Sequence, residues 1–281
     1  MTVRLTISAA SERLTQSERK LAATILSNYP FMGLLNIQEL AEEAGVSAAS
    51  ISRFTAKLGL DGYADMQRKL VEELRRGDIS PVDLHERSTR IEGSFLAGFL
   101  ARAAAQIESA GDAITDGQFD RITALLSDQR RQVFALGGRI SDTIARHLTF
   151  HLTQSREGVE HLSRDIESWP GHLLRIRPGD VVFLVDFRRY EPSLERLAQA
   201  MATKRVKIVL LTDSWISPIK SNAAEVLAVP IETGTVWDSY AAALAIVEAI
   251  VARIAELTWD ETRDRIEMWD ATRALTTETK T

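Results

Sequence analysis

Residues 178–212 read PGDVVFLVDFRRYEPSLERLAQAMATKRVKIVLLT. Two strand-like segments, Asp180–Asp186 and Val206–Thr212, carry the unbroken apolar runs Val181–Val185 and Ile208–Leu211 and flank one helical segment from Pro192 to Lys204. A strand that is apolar at every position, with no alternation, is buried on both faces, as in a parallel sheet. The pattern repeats on both sides. Arg131 to Leu136 is a short apolar run ending in Gly137-Gly138, and a helical stretch follows from Ser141 to Gln154. Val159–Leu162 and Glu225–Val229 are strand-like, and Thr235 to Leu257 reads as a long helix. Strands alternating with helices at this spacing predict an open parallel sheet with helices on both faces, a three-layer α/β/α domain.

The chain before this region has a different texture. Thr15-Gln16-Ser17-Glu18 has capping-box spacing, followed by Leu21, Ile25 and Leu26 on one helical face, and Pro30 closes the helix. Asn36-Ile37-Gln38-Glu39 opens a second helix with Leu40, Ala41 and Ala44 on its buried side. Gly45 ends it as a left-handed residue commonly does. Ser47 then caps a third helix through Leu58, and Asp61 starts a fourth that runs to Arg76. From Gly77 to Arg90 the pattern fails and a linker is expected. Helices from Glu92 to Ala110 and from Asp116 to Leu126 come next. The expected organisation is an all-α helix-turn-helix domain over 1–77, a linker and connecting helix over 78–114, the α/β domain over 115–258, and a C-terminal tail over 259–281.

Composition bounds the function. With 281 residues, 45% apolar and 26% charged, the chain is a globular protein with a full core. Cysteine is absent, which excludes disulfides, thiolate zinc sites and cysteine nucleophiles. The first twenty residues carry Arg4, Glu12, Arg13, Glu18 and Arg19, so no signal peptide is visible. The longest apolar stretch, Ala241 to Ala255, is interrupted by Glu248 and Arg253. It falls short of the roughly 20 apolar residues a bilayer needs. A cytoplasmic, soluble protein without a membrane partner is expected. The net charge is −5, yet residues 1–77 hold ten Lys/Arg against nine Asp/Glu, and a local basic face matters more than the total.

Two helices joined at Gly45-Val46-Ser47 fit a helix-turn-helix, in which the second helix enters the major groove. Ile51, Phe54 and Leu58 would face the core. That leaves Ser47, Ala48, Ser50, Ser52, Arg53 and Lys57 toward DNA, with Arg53 the guanine or phosphate contact and Lys57 on the backbone. On spacing alone, a helical hairpin with a solvated polar face serves equally well. The stretches Leu14–Leu21, Asn36–Ser47, Ser50-Ile51-Ser52-Arg53-Phe54 and Lys57-Leu58-Gly59 resemble the N-terminal domain of the RpiR family, bacterial regulators of sugar metabolism. The resemblance implies DNA binding by the Ser47–Leu58 helix.

In the second domain, Gly137-Gly138-Arg139-Ile140-Ser141 lies between a strand and a helix, where backbone N–H groups can meet an anion. It is not a dinucleotide fingerprint, since Arg139 stands at the second Gly position. The order of elements over 115–258, with Thr212-Asp213-Ser214, Ser217-Pro218, Val229-Pro230 and Trp237-Asp238-Ser239, resembles the sugar isomerase (SIS) domain that completes RpiR regulators. In that family a Gly-x-Gly-x-Ser loop and a Ser-x-Ser-Gly-x-Thr loop hold a phosphosugar. Here the first keeps Gly137 and Ser141 but carries Arg139, and the second reads Asp186-Phe187-Arg188-Arg189-Tyr190-Glu191. The hydroxyl cradle is largely gone. Arg139, Arg188 and Arg189 could together hold a carboxylate or phosphate, with Gly137, Gly138 and Ser141 beside them. Alternatively, Asp186 and Glu191 neutralise Arg188 and Arg189 within the loop.

Catalytic signals are weak. His147 and His151 have zinc-ligand spacing, but Leu148 leaves no adjacent base, and a packed helix face is the simpler reading. His85, His161 and His172 show no partner pattern, nothing marks Glu232 or Glu248 as a poised base, and the tryptophans read as packing anchors. No metal, cofactor or catalytic residue is expected. Two functions compete. One is a regulator that binds a double-stranded, palindromic operator as a homodimer or homotetramer and senses an anionic sugar derivative. The other is an aldose–ketose phosphosugar isomerase with an accessory helical domain.

Overall fold

Cap chemistry sets the helix ends of the N-terminal unit in a computed structural model of the chain, which describes residues 3–10, 13–27, 29–76 and 89–277. The helices are α1 (Val3–Ala10), α2 (Gln16–Ser27), α3 (Ile37–Ala44), α4 (Ala48–Lys57) and α5 (Tyr63–Arg76). Asn36 Oδ1 accepts from the N–H groups of Gln38 and Glu39 at 3.0 and 2.9 Å, and the Glu39 carboxylate accepts from Asn36 N–H at 3.1 Å. Gly45 adopts φ +60°, which lets the N–H of Val46 reach back to Ala41 at 2.9 Å and end α3. Helix α1 was not expected. Its Val3, Ile7 and Ala10 are buried with Leu21, Ile25, Leu40, Ile51, Phe54, Met66 and Leu70 in one core.

The C-terminal unit holds strands β1 (Val133–Gly137), β2 (Val159–His161), β3 (Val181–Asp186), β4 (Lys207–Asp213) and β5 (Glu225–Val229), ordered β2-β1-β3-β4-β5. All pairs are parallel, with Gly137 beside Val185, Asp186 beside Thr212 and Asp213 beside Val229. Alternate residues face opposite layers. Val133, Ala135, Val181, Phe183, Val185, Val209 and Leu211 pack with α6 (Phe95–Ala113), α7 (Asp116–Ser127), α8 (Asp142–Ser155) and α11 (Ala241–Leu257). Phe134, Leu136, Val182, Leu184, Ile208 and Leu210 pack with α9 (Trp169–Arg175) and α10 (Pro192–Thr203). The strand order reverses between β1 and β3, and an open α/β sheet has its ligand crevice at such a switch point.

Two expectations shift. The long helix starts at Ala241 rather than Thr235, because Thr233 and Thr235 hydroxyls engage each other and the Trp237 carbonyl in a non-helical strap. The stretch expected as a C-terminal tail forms a 19-residue helix, α12 (Trp259–Thr277), against α8. Most of the linker expected over 77–90, with His85, lies outside the described residues. Arg156, only 1% exposed, was not singled out. It donates to the carbonyls of Leu126, Asp128, Arg131 and Glu157, and so closes the end of α7.

Gly137 is where β1 meets α8. A Cβ there would lie 2.5 Å from the backbone N and Cα of Asp142, atoms that cannot rotate away. Gly137→Ala is expected to cost about 1–3 kcal/mol by overpacking. Gly171→Ala, on a helix with open space around it, should be neutral or stabilising by up to about 1 kcal/mol. Urea denaturation of both variants checks the contrast, and equal stabilities would contradict it.

Candidate functional site

Helix α4 starts where the Ser47 hydroxyl accepts from Ser50 N–H at 3.2 Å. Ser47, Ala48, Ser52, Arg53 and Lys57 are exposed, together with Ala49 and Ala56, which the sequence reading did not name. Ser50 is not. It is buried, and its hydroxyl accepts from Arg53 Nη2 at 3.1 Å, so it orients Arg53 rather than facing outward. Lys57 is also committed: Nζ donates to Glu18 Oε2 at 2.6 Å and to the Arg13 carbonyl at 3.2 Å. The Lys57 bond holds the Glu18 carboxyl below its usual range. Since Glu18 also accepts from Thr15 N–H at 2.7 Å, one carboxylate caps α2 and ties it to α4. The outward face of α4 is therefore small side chains around one oriented arginine.

The second constellation sits at the C-terminal ends of β1, β3, β4 and β5. Asp186, 1% exposed, accepts from the Ser217 hydroxyl at 2.5 Å. Burial pushes its carboxyl up to about 7. Asp213, on the neighbouring strand, accepts from Arg188 N–H at 2.5 Å, the Tyr190 hydroxyl at 2.6 Å and Trp215 N–H at 2.9 Å, and burial raises it too. The Arg188 side chain is 3% exposed. Its guanidinium stacks 4.4 Å over the Trp215 ring and pairs through Nη2 with Asp238 and, at 3.1 Å, with Glu232. Asp238 is pushed up to about 6, chiefly by burial. Arg188 Nε and Nη1 are buried and have no hydrogen-bond partner among the described residues.

The three arginines differ in burial. Arg188 alone is buried, whereas Arg139 and Arg189 are exposed. Arg188 is neutralised by Asp238 and Glu232 from the 232–240 strap, not by Asp186 or Glu191 as the loop alone suggested. Ser141, expected to offer its hydroxyl at the helix start, is 4% exposed and donates to the Val185 carbonyl at 2.8 Å. Gly137 and Gly138 are buried in the turn, and Gly138 N–H also donates to Val185. Arg164 was missed: it donates to Glu191 Oε1 at 2.7 Å and to the Arg139 carbonyl at 3.2 Å. Asp142 was missed as well. It accepts from Gly137 N–H and bonds His161 Nε2 at 2.8 Å, which fixes the turn. An acidic residue in a first helical turn is too common to mark it in sequence.

The cleft lined by Asp213, Ser214, Trp215, Pro230, Ile231 and Glu232 holds about 60 Å³. Small-molecule sites usually offer a few hundred, so this cleft is small by that measure. The 232–240 strap is held by Arg102 of α6, whose guanidinium donates to the carbonyls of Thr233 at 2.8 Å, Thr89 at 3.1 Å and Arg90 at 3.5 Å. Elsewhere, His147 lies 3.6 Å from Glu248 and 4.5 Å, ring to ring, from His151. His172 lies 3.3 Å from Glu160. No three metal-ligating side chains cluster among the described residues. The tryptophans are not uniformly anchors: Trp169 is buried, whereas Trp237, Trp259 and Trp269 are exposed. No helix is long and apolar enough to cross a membrane among the described residues.

A short exposed helix behind a tight turn, in one chain with a parallel sheet creviced at its strand ends, defines a helix-turn-helix regulator with a SIS-type α/β domain. Comparison agrees over both parts: residues 1–77 match the helix-turn-helix domain of the rpiR family and residues 125–253 match the SIS domain. The chain belongs to the RpiR family of transcription regulators. It is 24% identical over 234 residues to the HTH-type transcriptional regulator HexR of Pseudomonas aeruginosa, covering 82% of this chain and 79% of that one. The fold is similar to that of the Vibrio vulnificus NanR protein complexed with ManNAc-6P, at 19% identity and TM-score 0.60, covering 99% of both chains. It is also similar to the sugar isomerase domain of an RpiR transcription factor from Sphaerobacter thermophilus. There the identity is 18% and the TM-score 0.60, with 64% of this chain and 99% of that one covered.

Asp186 gives the site a pH signature. In an unfolded chain an aspartate ionises near pH 4, but here the carboxyl keeps its proton to about 7. Over that interval the folded state binds more protons, so this group's contribution to stability is lost as pH rises through it. The thermal midpoint of Asp186→Asn minus that of the wild type is expected to grow from about pH 5 to about pH 8. A difference that stays flat over this range would remove the assignment.

Proposed function

We propose that this protein is a transcription regulator that binds a palindromic operator through α4 and changes its DNA affinity when an anionic sugar derivative binds at the strand ends of the SIS domain. The observation that carries the ligand reading is Arg188. Two guanidinium nitrogens are buried without acceptors among the described residues, and buried donors left unpaired are costly. A ligand carboxylate or phosphate entering past the strap would supply the missing acceptors, with Gly137, Gly138, Arg139, Ser141 and Arg189 forming the surrounding loops. The resemblance to NanR, a protein seen with a phosphorylated amino sugar, supports a sugar-derived ligand.

Ser47, Ala48, Ser52 and Arg53 would meet DNA directly, with Ser50 and Lys57 as supports for that face. One recognition helix makes few contacts, so a two-fold oligomer on paired half-sites is the natural arrangement. Exposed Phe95, Leu96, Leu100 and Ile107 on α6 supply an apolar stripe for self-association. The signal would leave the site through the Arg102-held strap, because Thr89 and Arg90 begin the sensing unit directly after the helix-turn-helix unit. Isomerase catalysis is the weaker reading. Of the two carboxylates lining the cleft, Glu232 is paired with Arg188 and Asp213 already accepts from Arg188 N–H, Trp215 N–H and the Tyr190 hydroxyl, which leaves both poorly placed as a base.

Genomic footprinting of the bound protein yields the operator for the decisive titrations. Arg53→Ala is expected to lose about 1–3 kcal/mol of sequence discrimination while remaining folded. Two chains are expected per operator. Arg188→Ala is expected to bind a stabilising sugar acid about 10–100-fold more weakly, the loss of a charge-assisted hydrogen bond. Unchanged sequence preference in the first variant, or an undiminished thermal shift with gluconate in the second, refutes the corresponding half. Turnover of a sugar phosphate would favour the isomerase.

A further inference from the structure

The Gly138–Ser141 turn has an anion on it already, and the chain supplies it. Glu191 Oε1 accepts from the backbone N–H of Arg139 at 2.7 Å and from Arg164 Nη2 at 2.7 Å. Arg164 Nη1 reaches the Arg139 carbonyl at 3.2 Å, so turn, guanidinium and carboxylate close a ring. Glu191 stands at the N-cap of α10, yet its carboxylate makes no capping bond to that helix. It reaches across the crevice from the β3 loop to the β1 loop instead. An oxyanion on a backbone N–H beside a helix start, flanked by an arginine, is the arrangement that binds a phosphate oxygen. A second carboxyl group lies close by. A Cβ at Gly138 would be 3.7 Å from Glu191 Oε1 and 3.5 Å from Asp186 Oδ1.

The geometry points to Glu191 as a tethered internal anion that fills the phosphate seat of the β1–α8 turn, so that the site excludes phosphorylated ligands. This rests on the reading of the strand ends as the effector site and narrows it to a sugar acid without phosphate, its carboxylate directed to Arg188. A tethered group competes at a high effective concentration. A free phosphate dianion must therefore displace Glu191 and then sit beside it and Asp186. A carboxylate approaching Arg188 from the strap side avoids both of these and competes instead with Asp238 and Glu232 for the guanidinium. The acceptor-free Nε and Nη1 of that residue are on a different side chain from the occupied seat.

The test uses the full-length protein and calorimetric titration with inorganic phosphate, gluconate and 6-phosphogluconate. Wild type should bind gluconate more tightly than 6-phosphogluconate and should give no heat with phosphate. Glu191→Ser empties the seat and leaves a good N-cap for α10. Glu191→Gln removes the charge at constant shape. Both should gain phosphate binding by about tenfold or more, one charge-assisted hydrogen bond, and adding Arg164→Ala should abolish the gain. Phosphate or 6-phosphogluconate binding to wild type as tightly as to the variants overturns the proposal. So does a folded Glu191→Ser protein that gains nothing. If the variants gain phosphate while gluconate binds no form of the protein, the seat assignment stands and the effector reading of Arg188 fails.

Discussion

The site hangs on two carboxyl groups at the ends of adjacent strands, Asp186 on β3 and Asp213 on β4. Burying ionised carboxylates is costly, and both carboxyl groups are held toward their protonated forms by burial. Their acceptor capacity then has to be met locally. Asp213 takes the Arg188 and Trp215 N–H groups and the Tyr190 hydroxyl, which fixes the loop after β3 and the loop after β4 at one point. Asp186 takes the Ser217 hydroxyl, and Thr212 donates back to the Asp186 carbonyl at 2.7 Å. Arg188 follows from this. Its backbone is pinned by Asp213, and its side chain is forced over Trp215 toward the strap.

The strap completes the enclosure. Asp238 and Glu232 balance the charge of Arg188 in a place where an unpaired guanidinium would be unstable, and they do so from a segment that is not helical. That segment is bound in turn by Arg102 to Thr89 and Arg90. A ligand meeting Arg188, as proposed above, would compete with the contacts that hold the strap. A ligand changes a protein's state only by its differential affinity for two arrangements, and this shared arginine is a place where such a difference can arise. The helix-turn-helix unit uses the same economy on a smaller scale. Glu18 serves as cap and as partner of Lys57, and Ser50 serves as core residue and as rest for Arg53.

Much of the architecture was legible because period and caps are local. Unbroken apolar runs at 181–185 and 208–211 call for burial on both faces, and Asn36, Gly45 and Ser47 mark helix ends by local chemistry. The edge strand β2 was found because its short apolar stretch sits between two stronger signals. Helix α1 and helix α12 were not found. The first owes its place to burial of Val3 and Ile7 in a core made by distant residues, and the second is mostly exposed with a mixed surface.

The site was legible only as a position. Sequence alone placed the Gly137–Ser141 and Asp186–Glu191 loops at neighbouring strand ends, because strand spacing and parallel topology dictate where such loops emerge. It also showed that the hydroxyl cradle of the family was replaced by charge. It could not assign the pairs, since an ion pair depends on distances between residues far apart in the chain. Arg188 with Asp238 spans 50 positions and Arg139 N–H with Glu191 spans 52. The residues and their periods determined the layers, the turn and the exposed helix α4. The tertiary structure decided which arginine was buried and which carboxylate filled the turn, because burial and dielectric belong to the assembled molecule and not to any local stretch of it.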